Sequence, residues 1–275
     1  MTTPVSDVMR SEILGTLRRI EKDENVAILF AIESGSRAWG FHSPDSDYDV
    51  RFIYARPINW HLSITPGRDV IERPISDELD ISGWDLRKTL GLILRSNAVA
   101  LEWFRSPIIY LEVERFRRSL TEFAEATLSR RPMLWHYLRL AERQSERLLD
   151  DTGRVRLKPF FYTLRPALTL RWLRMHPASS APPMNMTALM QDVDLSSSET
   201  DALIALTEAK KAAREVGTYG KAPPQLVSLI DTELDATRSE LAGAKAPPRE
   251  SAIHAADALH CEWTRFADAE IKELV

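Results

Sequence analysis

ESGSRAWGFHSPDSDYDVRFIY, residues 33–54, sets three aspartates within five positions, two glycines and two arginines between apolar runs. The run before it, VAILFAI (26–32), is continuous and β-prone, the pattern of a strand buried on both faces. Gly35-Ser36 turns the chain, RAWGF opens a short helix, and Ser43-Pro44-Asp45 makes a second turn. DYDVRFIY then reads as the next strand. The stretch therefore crowds acid at the mouth of a buried strand.

Side chains alternate along a strand, so Asp47, Asp49 and Arg51 are expected on one face and Tyr48, Val50 and Phe52 on the other, in the core. Two carboxylates two residues apart repel each other and are costly to desolvate unpaired. A divalent cation between them removes the conflict. Hard oxygen donors suit Mg²⁺, which uses one or two carboxylates together with substrate phosphates and water. Arg51 would meet phosphate or pair with the acids. Gly35-Ser36, leaving a strand and opening a helix, offers free N–H groups, a positive dipole end and a hydroxyl, the makings of a phosphate site. Phosphoryl or nucleotidyl transfer needs both devices. The plainer alternative is a polar turn whose aspartates cap backbone groups; the Gly-Ser pair and the flanking apolar strands weigh against it.

Outward from this stretch, helix and strand signals alternate to about residue 111. Apolar residues at Val8, Met9, Ile13, Leu17 and Ile20 predict a helix over 5–23. RDVIERPI and LDISGW read as third and fourth strands with a turn at Ser76-Asp77, Asp85–Ser96 as a helix, and 107–111 as an edge strand. From 112 the pattern is helical only, over 112–128, 132–150, 157–176, 199–216, 224–242 and 251–272, with HPASSAPPMNM, KAPPQ and KAPPRE between helices. The expected organisation is an α+β unit, 1–111, followed by an α-helical unit, 112–275.

The chain has 275 residues, 44% apolar and 28% charged, with a net charge of −4. That is an ordinary globular composition, and no global basic field advertises nucleic acid. The single cysteine, Cys261, excludes a disulfide framework and a cysteine-based zinc site and suits a reducing cytoplasm. The six histidines show no metal spacing. The N-terminus has no apolar signal core, and no run approaches the roughly 20 apolar residues that span a bilayer. Between 130 and 174, eleven Lys/Arg face four acids, and Arg139, Arg143 and Arg147 recur every four residues. This is either a surface for an RNA acceptor or a solvated helix face laced by Glu142 and Glu146. From 185 to 241 acids outnumber bases and nothing suggests chemistry.

GSRAWG followed by SDYD resembles the signature of the DNA polymerase β nucleotidyltransferase superfamily. More narrowly, ESGSRAWGF, SPDSDYDVRFIY, LDISGWDLRK, SNAVALEWF, SPIIY and KPFFYTLRPAL resemble, in order, the nucleotidyltransferases of the YcgL/RlaP type, several of which are encoded near RNA ligases. The resemblance spans about residues 26–172, with none comparable after about 180. It implies a polymerase-β-like core, a mixed sheet with helices on one side, followed by the helical part. It also implies a third carboxylate on a later strand, Asp80, with Asp85 as the competitor; Asp80 sits between apolar Leu79 and Ile81, whereas Asp85 looks like a helix cap. Asp47, Asp49 and Asp80 would hold two Mg²⁺ ions, and Gly35 and Ser36 the β/γ-phosphates of an NTP, with ATP expected. Arg37 and Arg51 are candidates to neutralise the triphosphate, and Lys158, Tyr162 and Arg165 to reach over the cleft. Phe161, Leu164, Leu168 and Trp172 are expected in the core. Where the family has proline after Ser-Asn, this chain has Ala98. The implied activity is transfer of an NMP to an acceptor hydroxyl, on RNA ends or on a protein; the alternative is a nucleotide-binding protein without catalysis.

Overall fold

The computed structural model describes residues 4–65, 67–74, 78–146, 148–213, 218–243 and 250–273. The turn expected at Ser76-Asp77, most of the KAPPRE linker and Arg147 lie outside them. Helix α1 (Asp7–Glu24) begins at Ser6, whose hydroxyl accepts from Met9 N–H, and ends on Asn25 in the left-handed conformation. Such a cap suits asparagine, whose short polar side chain tolerates positive φ. It leads into β1 (Ala27–Glu33), buried along its whole length. The short α2 (Gly35–Trp39), β2 (Tyr48–Ala55), α3 (Ile58–His61), β3 (Val70–Glu72) and β4 (Leu79–Asp85) follow. Next come α4 (Leu86–Leu94), α5 (Ala98–Phe104) and β5 (Ile109–Glu112).

These five strands form one mixed sheet in the order β3-β4-β2-β1-β5, in which β2 and β4 run parallel and every other pairing is antiparallel. Gly83 in β4 lies opposite Phe52 of β2, and a Cβ there would come within 2.2 Å of the Phe52 ring. A glycine inside a strand marks such a close approach.

After β5 the chain is almost wholly helical: α6 (Glu114–Thr127), α7 (Arg130–Ser145), α8 (Leu157–Met175), α9 (Met186–Gln191), α10 (Ser197–Ala212), α11 (Pro224–Gly243) and α12 (Glu250–Glu273). A two-residue ladder, β6 (Val155–Arg156) with β7 (Thr218–Tyr219), ties the start of α8 to the segment after α10. Ser196 and Glu199 form a reciprocal capping box at α10, which satisfies two backbone donors at that end. Asn97 caps α5, a helix the sequence reading missed. Ala98 is its first residue, where proline is favoured because its fixed φ suits the position and its missing N–H costs nothing. The Ala98 departure is thus neutral to the fold.

The sheet has a core on each face. Ile13, Leu17 and Ile20 of α1 cover one, with Val50, Phe52, Tyr54 and Ile81. Ile53 and Ala55 look to the other face, where Leu86, Phe116, Phe161 and Trp263 join them in one continuous cluster. Among the described residues most helices therefore gather on one side, and α1 packs on the other. Strands give way to helices at about residue 112, but the core does not divide there. Among the described residues no helix is long and apolar enough to cross a membrane.

Candidate active site

Three strand ends meet at one edge of the sheet. β1 runs out at Glu33 where β2 and β4, antiparallel to it, begin. Asp49 and Asp80 are each the second residue of their strand and stand in register as direct neighbours. Both occupy the face that carries Ile53 and Ala55, the face on which most helices pack. Arg51, two residues on, sends one guanidinium nitrogen between them, 3.0 Å from Asp49 Oδ1 and 2.7 Å from Asp80 Oδ2. The two carboxylates therefore converge on a point that accepts positive charge.

Asp47 lies just before β2 and is exposed. The strand alternation that was to align it with Asp49 starts one residue too late. The pair that converges is Asp49 with Asp80, brought together by sheet pairing rather than by spacing. Burial pushes the Asp49 carboxyl above its ordinary range; Arg51 pulls it back, Asp80 and Asp47 add to the rise, and Lys158 opposes them. Lys158, at the start of α8, thus reaches the field of the acids, with its ammonium 6.0 Å from the Tyr162 ring.

Gly35 opens α2 with φ +57, a conformation open to glycine and costly for other residues. A Cβ there would fall 1.9 Å from Asp49 Oδ2. The glycine lets the backbone lie against the carboxylate, and the first N–H groups of α2, those of Gly35 and Ser36 included, have no intrahelical acceptor.

Glu33 is fully buried beneath this edge. Its carboxylate accepts from Asp49 N–H at 3.0 Å and from the Tyr110 hydroxyl at 2.6 Å, while its backbone carbonyl accepts from Ser106 Oγ at 2.6 Å. Burial outweighs these bonds and pushes its pKa up to about 7. Glu33 thus ties the ends of β1, β2 and β5 together under Asp49.

Two expected phosphate ligands are placed otherwise. Arg37 donates to the carbonyls of Pro4, Ser46 and Asp47 and stacks on Tyr48, 3.7 Å from the ring centroid. It is 7% exposed and holds the acidic turn from inside. Arg165 is 2% exposed, bonded to Glu102 at 2.9 Å and to the Met184 carbonyl at 3.0 Å, with its guanidinium 4.6 Å from the centre of the Trp39 ring. A guanidinium that deep meets a triphosphate only by leaving those partners. Its sequence neighbours Phe161, Leu164, Leu168 and Trp172 are buried in the core.

Asp85 does not approach the acids. It caps α4, accepting from Arg87 N–H at 2.8 Å, at the far end of β4. Arg139 and Arg143 lie on α7, along a groove of about 690 Å³ that also includes Trp135. Glu142 and Glu146 line it too, and Glu142 accepts from Arg139 and from Arg238.

Among the described residues no three His, Cys, Asp or Glu side chains stand close enough together to hold an ion. Two oxygen donors that already share one cationic nitrogen nevertheless fit Mg²⁺, which completes its shell with water and substrate phosphate.

The chain matches, over residues 9–262, the family model described as RlaP, RNA repair pathway DNA polymerase beta family. It is 40% identical over 227 residues to "Uncharacterized protein YcgL" of Bacillus subtilis (strain 168), an alignment that spans 82% of this chain and 86% of that protein. The family match runs far beyond the motif-bearing region and takes in α9, α10 and α11.

Proposed function

The chain belongs to the RNA repair pathway DNA polymerase beta family, and from that premise we propose that it is a metal-dependent nucleotidyltransferase that moves an NMP from an NTP to an acceptor hydroxyl. The observation that carries this reading is the convergence of Asp49 and Asp80 on one point beside Gly35, with Asp47 at its exposed approach. Asp47, Asp49 and Asp80 would hold divalent ions, which when bound neutralise the triphosphate and activate the acceptor hydroxyl. Gly35 and Ser36 receive phosphate oxygens on backbone N–H groups. Lys158 supplies positive charge from the start of α8. Arg51 keeps the acids neutralised and aimed before substrate arrives. Glu33 holds the Asp49 backbone in place. ATP as the nucleotide and an RNA end as the acceptor are the preferred substrates, the latter in keeping with the RNA repair context of the family and the arginines of α7.

A second reading, a nucleotide-binding protein without catalysis, draws on Arg51, since its guanidinium sits where a cation would. Incubation with each of four α-labelled NTPs and Mg²⁺, with total RNA or cell protein as acceptor, separates the two. Label transferred to RNA supports the first reading in full, and label on protein changes the acceptor. Thermal stabilisation by NTP without transfer to either fraction favours the second.

Gly35→Ala gives a sharper local test. The added methyl collides with Asp49 Oδ2 and strains a positive-φ position, so the carboxylate must move by roughly 1 Å, which costs about 10²-fold in kcat/KM. Steady-state kinetics beside a melting curve checks this. Activity within threefold of the parent would detach Gly35 from the site.

A further inference from the structure

Lys210 stands in α10, within the stretch where the sequence suggested no chemistry. It is 2% exposed, and lysine is almost never buried so deeply unless paired. Its ammonium donates to Ser43 Oγ at 3.3 Å, across 167 positions of sequence. Ser43 and Ser46 are themselves buried. Their hydroxyls meet at 2.9 Å, Ser43 N–H donates to Ser46 Oγ at 3.0 Å, and Ser46 N–H donates to Ser43 O at 3.1 Å. From inside the core Arg37 takes the Ser46 carbonyl at 2.6 Å and the Asp47 carbonyl at 3.2 Å. The turn 43–46 is thus gripped by two buried cations from different elements, and Asp47 leaves it directly into β2. His42, at its entry, feels the same surroundings: burial first, then Arg37, Lys211 and Lys210, hold its imidazole below the ordinary range.

A buried ammonium is costly unless it answers negative charge or fills a polar need. Here it bonds a buried hydroxyl of the turn that carries Asp45 and leads into Asp47. We propose that Lys210 is a positioning residue: through Ser43 it sets the conformation of the turn 43–46 and with it the aim of Asp47. The helical part of the chain thereby completes an acidic site built on the sheet. This rests on the reading of Asp47 as a metal ligand, and the experiment keeps the two apart.

Hydrogen exchange of the full chain is followed at the amides of 41–49 in Lys210→Met, Lys210→Arg and Ser43→Ala, and Mn²⁺ binding is titrated by electron paramagnetic resonance. Lys210→Met should exchange about tenfold faster at Ser43 and Ser46 with β1 unchanged, a local opening rather than a global one. Its Mn²⁺ affinity should fall by about tenfold, the scale of losing a group that orients a ligand. Lys210→Arg, which keeps charge and donors, should restore much of both. Ser43→Ala removes the acceptor alone and should show the same local effect, so the proposal stays testable if Lys210→Met does not fold. Parental exchange at 41–49 in both Lys210→Met and Ser43→Ala overturns the proposal, as does faster exchange with unaltered Mn²⁺ affinity. A parent that binds no Mn²⁺ while exchange responds supports the grip on the turn and sinks the metal reading instead.

Discussion

Asp49→Asn and Asp80→Asn should each lower nucleotidyl transfer by about 10³-fold or more, the loss of about 4 kcal/mol of charge stabilisation in the transition state. The geometry behind this expectation is the register of β2 and β4, which sets the two carboxylates side by side on the Arg51 nitrogen. Neither change should cost much stability. Asp49→Asn leaves Arg51 bonded to Asp80, and Asp80→Asn leaves it bonded to Asp49. Each pair is half-buried, and the one that is lost contributes on the order of 1 kcal/mol. For Asp49 the asparagine also removes a charge whose burial is penalised. Because Arg51 already offsets the repulsion between the acids, the gain expected from relieving it is small, and Tm should stay within about 4 °C of the parent. Turnover at saturating Mg²⁺ and NTP, read beside a melting curve, decides the matter. Full activity in Asp80→Asn would remove the third carboxylate from the site, and Asp85 could not replace it while it caps α4.

Arg165→Met should lower stability by about 3–5 kcal/mol, because it leaves the mostly buried Glu102 carboxylate without its cation, with the Tyr137 hydroxyl still bonded to it among the described residues. Urea unfolding reads this directly, and Tm should drop by roughly 10 °C. The double variant Arg165→Met/Glu102→Gln should recover more than half of the loss, since the uncompensated charge is gone. A loss below about 1 kcal/mol in the single variant would mean that the pair is not the buried contact described. The same variant separates two roles for Arg165. If the folded enzyme binds NTP as the parent does, the residue belongs to the core. If NTP binding is lost while the fold holds, Arg165 returns to the triphosphate.

That pair also shows how far the motifs could be read. SNAVALEWF and KPFFYTLRPAL read as family features, and the arginine of the second reads as a candidate to reach the nucleotide. Nothing in either segment alone says that Glu102 and Arg165 meet, 63 positions apart, beneath Trp39. Arg37 tells the same story on a shorter scale. A cation next to a phosphate-type Gly-Ser turn invites a ligand role, but folding turns it inward to three carbonyls. A sequence shows the charge of a side chain and hides the polar groups waiting for it inside.

Sequence alone determined the strands around the acidic stretch, the change to helices near residue 112, and the family. These follow from local periodicity, turn residues and motif order, all written in contiguous residues. It also favoured Asp80 over Asp85, because alternation with Leu79 and Ile81 puts one within a strand and the Gly83-Trp84 lead-in marks the other as a cap. Short helices such as α5 and α9 escaped, since so few residues carry too little periodicity to register. Tertiary structure alone decided which carboxylates converge, because Asp49 and Asp80 become neighbours through parallel pairing of strands 31 residues apart in sequence. It alone brought Lys210 to Ser43, where burial in the fold, not any local pattern, gives a lysine in an unremarked helix its partner.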